Sequence, residues 1–285
     1  MRALRKIAAA SVVAAFALAG CSSGGNSTES VEETTESGTA QTESGEDLTT
    51  IVVGASPSPH GKILQFVQDN LAAENGLNIE IVEYTDYVEP NKALAAGQLD
   101  ANWFQHIPYL EEHTAQEGWT FEHGEGTHLE PLGLFSDKYE AVSEKTEGAS
   151  IGIINDPTNQ ARALKLLADE GFVELPTSGD INAATVTPLN GTKLVEVDGP
   201  ALVRNLQDLD FAVINGNFAQ EGGLTLDTAV ALESTVDNPY VNVVAWLPGS
   251  DKEEAVKKLD ALLHSDEVKA YISETWPDKS VIPAE

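Results

Sequence analysis

Arginine is the rarest charged side chain beyond residue 20, and one arginine stands where an anion could bind. From residue 21 onward the chain carries 11 lysines but only two arginines, Arg162 and Arg204. Arg162 follows the segment Asn155–Asn159 in the early turns of a predicted helix, whose first N–H groups favour an anion. A guanidinium can grip a carboxylate with two parallel hydrogen bonds. The spacing is typical of a carboxylate site, and equally of a surface arginine paired with an acid such as Asp156 or Asp169.

Three predicted strands end in clusters of aromatic and polar residues. The clusters are Tyr84–Tyr87, Asn102–His106 and Ile214–Asn217, the last with a glycine that permits close approach. Ligands of open α/β sheets bind at the carboxyl ends of strands. For any single residue a place in the core or in a turn is the simpler interpretation. Three such ends in one chain favour a shared cleft.

Enzyme motifs in their expected context are absent from the sequence. It contains no SxxK, HExxH, P-loop or GxGxxG, and its GxSxG match, Gly148–Gly152, lies at the start of a predicted strand and not at a strand-to-helix turn. None of the six histidines pairs with another at the i,i+4 spacing of two metal ligands on a helix, and His123 and His128 are five apart. A Ser-His-Asp triad assembled from distant positions stays open, because triads are defined in space. We predict a protein that is not an enzyme, with no catalytic residues, cofactor or metal site.

The elements that must position these residues alternate along the chain. β-branched runs predict strands at 50–54, 78–84, 101–104, 151–154, 193–197, 211–214 and 240–246. Helical spacing predicts helices at 60–73, 90–96, 107–116, 157–170, 200–206, 253–263 and 267–274. Alternation of this kind favours parallel sheets covered on both faces. Two such series predict an α/β protein of two lobes with a cleft between them. We place lobe 1 at 50–134 and 241–285, and lobe 2 at 135–240.

The charge of the chain excludes one class of partner. The 285 residues carry 46 acids against 16 bases, a formal charge of −30. Without the first 20 residues the balance is 46 acids against 13 bases. Nucleic-acid binding needs a basic face, so we exclude it.

The first 49 residues are typical of a signal peptide followed by a flexible tether. Arg2–Lys6 is basic, Ile7–Ala19 is apolar, and Leu18–Cys21 resembles the bacterial lipobox. A short apolar run of this kind indicates a signal peptide over 1–20. The only cysteine of the chain, Cys21, would then carry the lipid that anchors the protein to the extracytoplasmic face of the cell membrane. Residues 22–49 carry seven acids and almost no apolar side chain, which predicts a disordered tether over 21–49.

Blocks spread over most of the chain resemble the NlpA-type lipoproteins, the methionine-binding substrate proteins of ABC importers. The blocks are Val53–His60, Glu83–Val88, Leu99–His106, His128–Gly133, Asn155–Leu164, Ala212–Asn217 and Pro239–Val244. The resemblance implies a two-lobed periplasmic-binding-protein fold with an amino acid between the lobes. It also implies delivery of that amino acid to the permease and ATPase subunits of an importer.

The resemblance assigns roles to eight residues. Arg162 would hold the ligand carboxylate, while Asn215 and Asn242 would bond the amino-acid head group. The side chain of the ligand would lie against a wall of Tyr87, Phe104 and His106. Asn159 and Tyr240 are further candidates near the same surface.

Several functions stay open beside methionine binding. Within the same class, the ligand could be D-methionine, another small apolar amino acid, a methionine derivative or a methionine-containing dipeptide. From other classes, an extracytoplasmic hydrolase would need a nucleophile beside a base. An adhesion or structural lipoprotein would show an exposed apolar patch in place of a closed polar cleft.

Overall fold

The computed structural model describes residues 48–284. The predicted signal peptide, Cys21 and the tether as far as residue 47 lie outside the described residues. No helix between residues 48 and 284 has the length and apolar character needed to cross a bilayer.

Fourteen strands and eight α-helices make up the described chain. The strands are β1 (Thr49–Ala55), β2 (Leu77–Glu83), β3 (Ala101–His106), β4 (Glu122–His123), β5 (His128–Leu129), β6 (Gly133–Phe135), β7 (Ser150–Ile154), β8 (Val173–Glu174), β9 (Thr187–Pro188), β10 (Lys193–Val197), β11 (Phe211–Ile214), β12 (Ala231–Leu232), β13 (Val241–Trp246) and β14 (Ile282–Pro283). The helices are α1 (Lys62–Val67), α2 (Glu89–Ala95), α3 (Ile107–Glu117), α4 (Pro157–Asp169), α5 (Leu202–Asn205), α6 (Gly216–Glu221), α7 (Glu253–Leu263) and α8 (Asp266–Thr275).

Two sheets divide the strands into two lobes. The first sheet runs β14-β5-β13-β3-β1-β2, with β4 on β13, and the second runs β10-β7-β11-β6-β12. Strands β8 and β9 form a separate pair. The chain leaves the first sheet after β5 and returns to it at β13, so it crosses between the lobes twice. Strand β6 begins two residues before the lobe boundary predicted at 135, and it pairs within the second sheet.

The prediction of an α/β fold of two lobes is confirmed, whereas the expected parallel sheets are mixed. Strand β1 is parallel to β2 and β3, but β13 runs antiparallel to β3 and β5. Strand β6 is likewise antiparallel to β11. Both reversals come where the chain enters a lobe from the other one. The predicted helix at 60–73 begins as α1 and continues through irregular turns to residue 75.

Each lobe has its own apolar core. In the first lobe Ile51, Val53 and Trp103 pack with Val256 and Leu259 of α7. In the second lobe the strands of the sheet pack against one face of α4 and against α5. The surfaces at which the two lobes face each other carry polar and aromatic side chains.

Candidate functional site

A cavity with about 350 Å³ of atom-free space lies between the two lobes. Its walls combine aromatic, amide and charged side chains from both sheets. The lining residues are Tyr87, Phe104, Gln105, His106, Tyr109, Glu130, Asn159, Arg162, Asn215, Gly216, Asn217 and Asn242. A lining of apolar rings with a few convergent polar and charged groups suits a small molecule.

An irregularity in β3 accompanies the placement of Phe104 on the cavity wall. Trp103 pairs with Val244 and Gln105 with Val243, so Phe104 is the extra residue of a β-bulge. A bulge re-aims a side chain relative to the regular alternation of a strand. Trp103 is fully buried in the core, whereas Phe104 lines the cavity. The two aromatics of one sequence cluster therefore have different roles.

His106 ends β3 and caps α3 with its imidazole ring. Its Nδ1 accepts the Tyr109 backbone N–H at 3.1 Å, so the proton of the neutral ring is on Nε2, which lies 3.2 Å from Asn159 Oδ1. Burial, and then the positive charge of Arg162, lower the pKa of His106 to about 3. His106 is therefore a neutral part of the wall at physiological pH.

Arg162 lies on α4 and is buried, so it is not the surface arginine that was one alternative. Its acid partner is neither Asp156 nor Asp169. Nε and Nη2 donate to the two carboxylate oxygens of Glu233 at 2.8 and 2.6 Å, and Nη2 also donates to the Glu130 carbonyl at 2.8 Å. Glu130 and Glu233 stand at the two lobe crossings, and Nη1 makes no hydrogen bond to any described residue. The bidentate hydrogen bonding expected for a ligand carboxylate is thus made with Glu233. Only Nη1 of the guanidinium remains to bind a ligand in the cavity.

The N-terminus of α4 does not present free N–H groups to an anion, which corrects that part of the expected site. Asp156 caps the helix by accepting the Asn159 N–H at 2.9 Å and the Asn159 side-chain amide at 3.2 Å. Burial raises the pKa of Asp156 to about 6. The carboxyl group of the chain itself therefore takes the anion position at this helix end.

Amide side chains tie the two lobes together across the cavity. Asn159 Oδ1 faces the His106 ring of the first lobe and accepts from Asn215 Nδ2 at 2.8 Å. The Tyr87 hydroxyl donates to Asn217 Oδ1, and the Tyr87 ring stacks on Phe218 at 4.7 Å. These contacts describe a closed pair of lobes.

A buried cluster of His60, His128 and Glu130 lies at the first crossing, and its member Glu130 lines the cavity. Glu130 Oε1 lies 3.0 Å from His128 Nε2 and 3.5 Å from His60 Nε2, and His60 Nε2 lies 3.1 Å from Asn242 Oδ1. One donor atom from each of the three lies within 4.8 Å of the others, so these residues are the group that could hold a metal ion. Since their contacts are already at hydrogen-bond distance, we interpret them as a hydrogen-bonded cluster. Burial raises the pKa of Glu130 to about 7 and lowers that of His128 to about 3.

Seven of the eight residues singled out from the sequence line this cavity. Tyr240 is the exception, since it lies behind the lining with its ring 4.3 Å from the Arg162 guanidinium carbon. The sequence interpretation missed the remaining lining residues and Glu233. The missed lining residues are Gln105, Tyr109, Glu130, Gly216 and Asn217. All five lie in or beside the quoted blocks and clusters, Glu130 within His128–Gly133, but its residue type alone does not distinguish Glu130 from the other 45 acids of the chain.

Two α/β lobes that close over a small polar cavity define a substrate-binding protein of the periplasmic type. The family model described as NlpA lipoprotein matches residues 51–285, so the chain belongs to that family. The "Probable D-methionine-binding lipoprotein MetQ" of Pasteurella multocida is 31% identical over 262 residues, which are 91% of each chain.

Solved structures are similar over the folded part. A putative lipoprotein from Actinomyces odontolyticus is 57% identical with a TM-score of 0.82, covering 84% of this chain and 100% of that one. A nutrient-binding protein from Burkholderia cenocepacia, bound to methionine, is 34% identical with a TM-score of 0.78, covering 82% and 100%. The resemblance noted from the sequence blocks is thereby confirmed.

Proposed function

We propose that this protein is a lipid-anchored, extracytoplasmic substrate-binding protein that takes up free L-methionine between its lobes. The observation that carries the proposal is the cavity itself. Its lining combines charged and amide groups with a group of neighbouring aromatic rings, enclosed between the two lobes. The methionine bound to the Burkholderia relative and the name of the Pasteurella relative support this choice of ligand.

The polar groups of the cavity lining match an amino-acid head group. A zwitterion loses its hydration when it is buried, so each of its charges needs a partner. Arg162 Nη1 and Asn215 would hold the carboxylate. Glu130 and Asn242 would hold the ammonium, since Glu130 Oε2 makes no hydrogen bond to any described residue.

The aromatic rings of the lining match an uncharged, flexible side chain. Tyr87 lies 6.0 Å from Phe104 and 5.8 Å from Tyr109 between ring centroids, and the His106 ring is neutral. Contacts between sulfur and aromatic rings contribute roughly 0.3–1.5 kcal/mol each. A charged ligand side chain would meet no partner on this wall, which favours methionine over acidic or basic amino acids.

We propose that the protein binds its ligand and does not transform it chemically. The described residues that line the cavity include no serine, threonine or cysteine that could attack an ester or a peptide. The hydrolase alternative would need such a nucleophile beside a base. We infer that the ligand leaves unchanged, delivered to the permease and ATPase subunits of an ABC importer. Cys21 would carry the lipid anchor that keeps the protein beside them.

Mass spectrometry of ligand released from the denatured protein tests the identity of the ligand. Calorimetry with L-methionine, D-methionine, leucine and a methionine dipeptide then ranks the candidates. Arg162→Ala removes a charged hydrogen-bond donor worth about 1.5–3 kcal/mol, so affinity should fall at least tenfold. The matched control is Arg204→Ala, since Arg204 is exposed and is not part of the cavity lining. Absence of binding heat with every candidate, on protein freed of ligand, would contradict the proposal.

A further inference from the structure

The contact between Glu130 and His128 needs a proton that the two residues must share. Glu130 Oε1 lies 3.0 Å from His128 Nε2, and both side chains are buried. An ionised carboxylate has no proton, and a neutral imidazole has one proton for two nitrogens. Which nitrogen of His128 carries it decides whether this contact is a hydrogen bond.

The neighbouring Thr127 determines the tautomer of His128. Thr127 Oγ1 lies 2.9 Å from the Asn242 carbonyl oxygen, which can only accept, so the hydroxyl proton points there. Thr127 Oγ1 therefore accepts from Trp103 Nε1 at 3.1 Å and from His128 Nδ1 at 3.1 Å. With its proton on Nδ1, neutral His128 presents a lone pair at Nε2 to Glu130. The close contact is then a hydrogen bond only if the Glu130–His128 pair holds one additional proton.

That proton resides on Glu130 when no ligand charge is present. Burial disfavours both ionised forms, raising the pKa of Glu130 to about 7 and lowering that of His128 to about 3. The other titratable groups around Glu130 are His60, Arg162, Tyr87 and Glu221. The charge of Arg162 is balanced by Glu233. Below about pH 7 and in the absence of ligand, Glu130 is thus mainly a neutral acid that donates to His128.

We propose that the ammonium of the ligand and this proton compete for the same carboxylate, with His128 and His60 as the positioning residues of the ammonium subsite. The inference rests on the proposed function and adds its regulation by pH. When the ammonium enters, the Glu130 O–H bond breaks and the proton passes to solvent water. An ammonium N–H then bonds to the ionised carboxylate, and His60 Nε2, 3.5 Å from Glu130 Oε1, is the histidine donor within reach of that oxygen.

Calorimetry of the full folded chain with L-methionine in two buffers of different ionisation enthalpy counts the released protons. With a proton midpoint at about pH 7, close to one proton should leave at pH 6 and about 0.1 at pH 8. Affinity should be about tenfold weaker at pH 6 than at pH 8. The ligand itself does not interfere, because the adjacent carboxylate raises the pKa of the ammonium of a free amino acid above this range.

Two variants test which residue releases the proton when methionine binds. Partial desolvation also raises the pKa of Glu221 to about 7, although its side chain is exposed and lies outside the cavity lining, so Glu221→Gln is the matched control and should release the same proton as the unaltered protein. His128→Gln supplies an amide N–H to Glu130 Oε1 in place of the shared proton. It should bind at pH 8 and release much less than one proton at pH 6.

The outcomes separate the two proposals. Absence of methionine binding at both pH values contradicts the proposed function. Binding with no proton release and equal affinity at pH 6 and 8 overturns the competition alone, since the proton then stays within the pair. Loss of the release in Glu221→Gln overturns its assignment to Glu130. If His128→Gln does not fold, the pH profile of the unaltered protein still decides.

Discussion

Removing the charge of Glu233 should lower the melting temperature of the ligand-free protein. It should also enlarge the increase in melting temperature that the ligand causes. Glu233 accepts two hydrogen bonds from Arg162, at 2.8 and 2.6 Å, and a third from the Leu132 backbone N–H at 3.2 Å. Only 4% of the Arg162 side chain and 12% of the Glu233 side chain are exposed to solvent. In Glu233→Gln the guanidinium stays buried without its counter-ion.

The size of the effect follows from this burial. Removing one partner of a buried ion pair costs about 3–5 kcal/mol, and the remaining amide oxygen of glutamine keeps part of the hydrogen bonding. We therefore expect a loss of about 3 kcal/mol in the free energy of unfolding. For a folded part of this size the melting temperature should fall by roughly 6–12 °C.

Thermal unfolding followed by circular dichroism, with and without L-methionine, measures both parts of the prediction. In the variant the carboxylate of the ligand becomes the counter-ion of Arg162, so the ligand should raise the melting temperature more than in the unaltered protein. The control is Glu253→Gln, which removes the charge of Glu253 from its ion pair with the 45% exposed Lys257 and should change the melting temperature little. A variant that melts within about 1 °C of the unaltered protein would refute the dependence of buried Arg162 on Glu233.

Two further substitutions test the site. In Gly216→Ala the new methyl would lie 2.9 Å from Glu130 Cβ and 3.1 Å from Glu130 Oε2. The crowding should cost about 1–3 kcal/mol and weaken methionine binding in calorimetry, whereas unchanged affinity would show that Glu130 can move aside freely. Asp156→Asn keeps the side-chain oxygen that caps α4 but removes the carboxyl group that titrates. Because the folded pKa of Asp156 is about 6 against an ordinary 3.8, the unaltered protein loses stability as pH rises through about 6. Urea unfolding should therefore shift in favour of the variant by about 2 kcal/mol between pH 4 and pH 8, and a shift of the opposite sign would contradict the burial of this carboxyl.

Most of the cavity wall could be predicted from local sequence, because the residues stand at the ends of recognisable elements. Arg162 drew attention through the scarcity of arginine, and Phe104, His106 and Asn215 through clusters at strand ends. The partner of Arg162 could not be found this way. Glu233 lies 71 positions away on the second lobe crossing, and nothing near it in the chain distinguishes it from other acids.

The sequence by itself determined the order of strands and helices, the family and the charged residue most suited to an anion, because these depend on periodicity and on residue type. Only the tertiary structure decided which polar groups are already hydrogen-bonded to other groups of the protein. It shows that Asp156 fills the helix N-terminus, that Glu233 takes the paired donors of Arg162, and that His60, His128 and Glu130 meet in one buried cluster. The physical reason is that hydrogen bonds and desolvation depend on which distant segments pack together, and the packing of two lobes brings together residues that no local pattern connects.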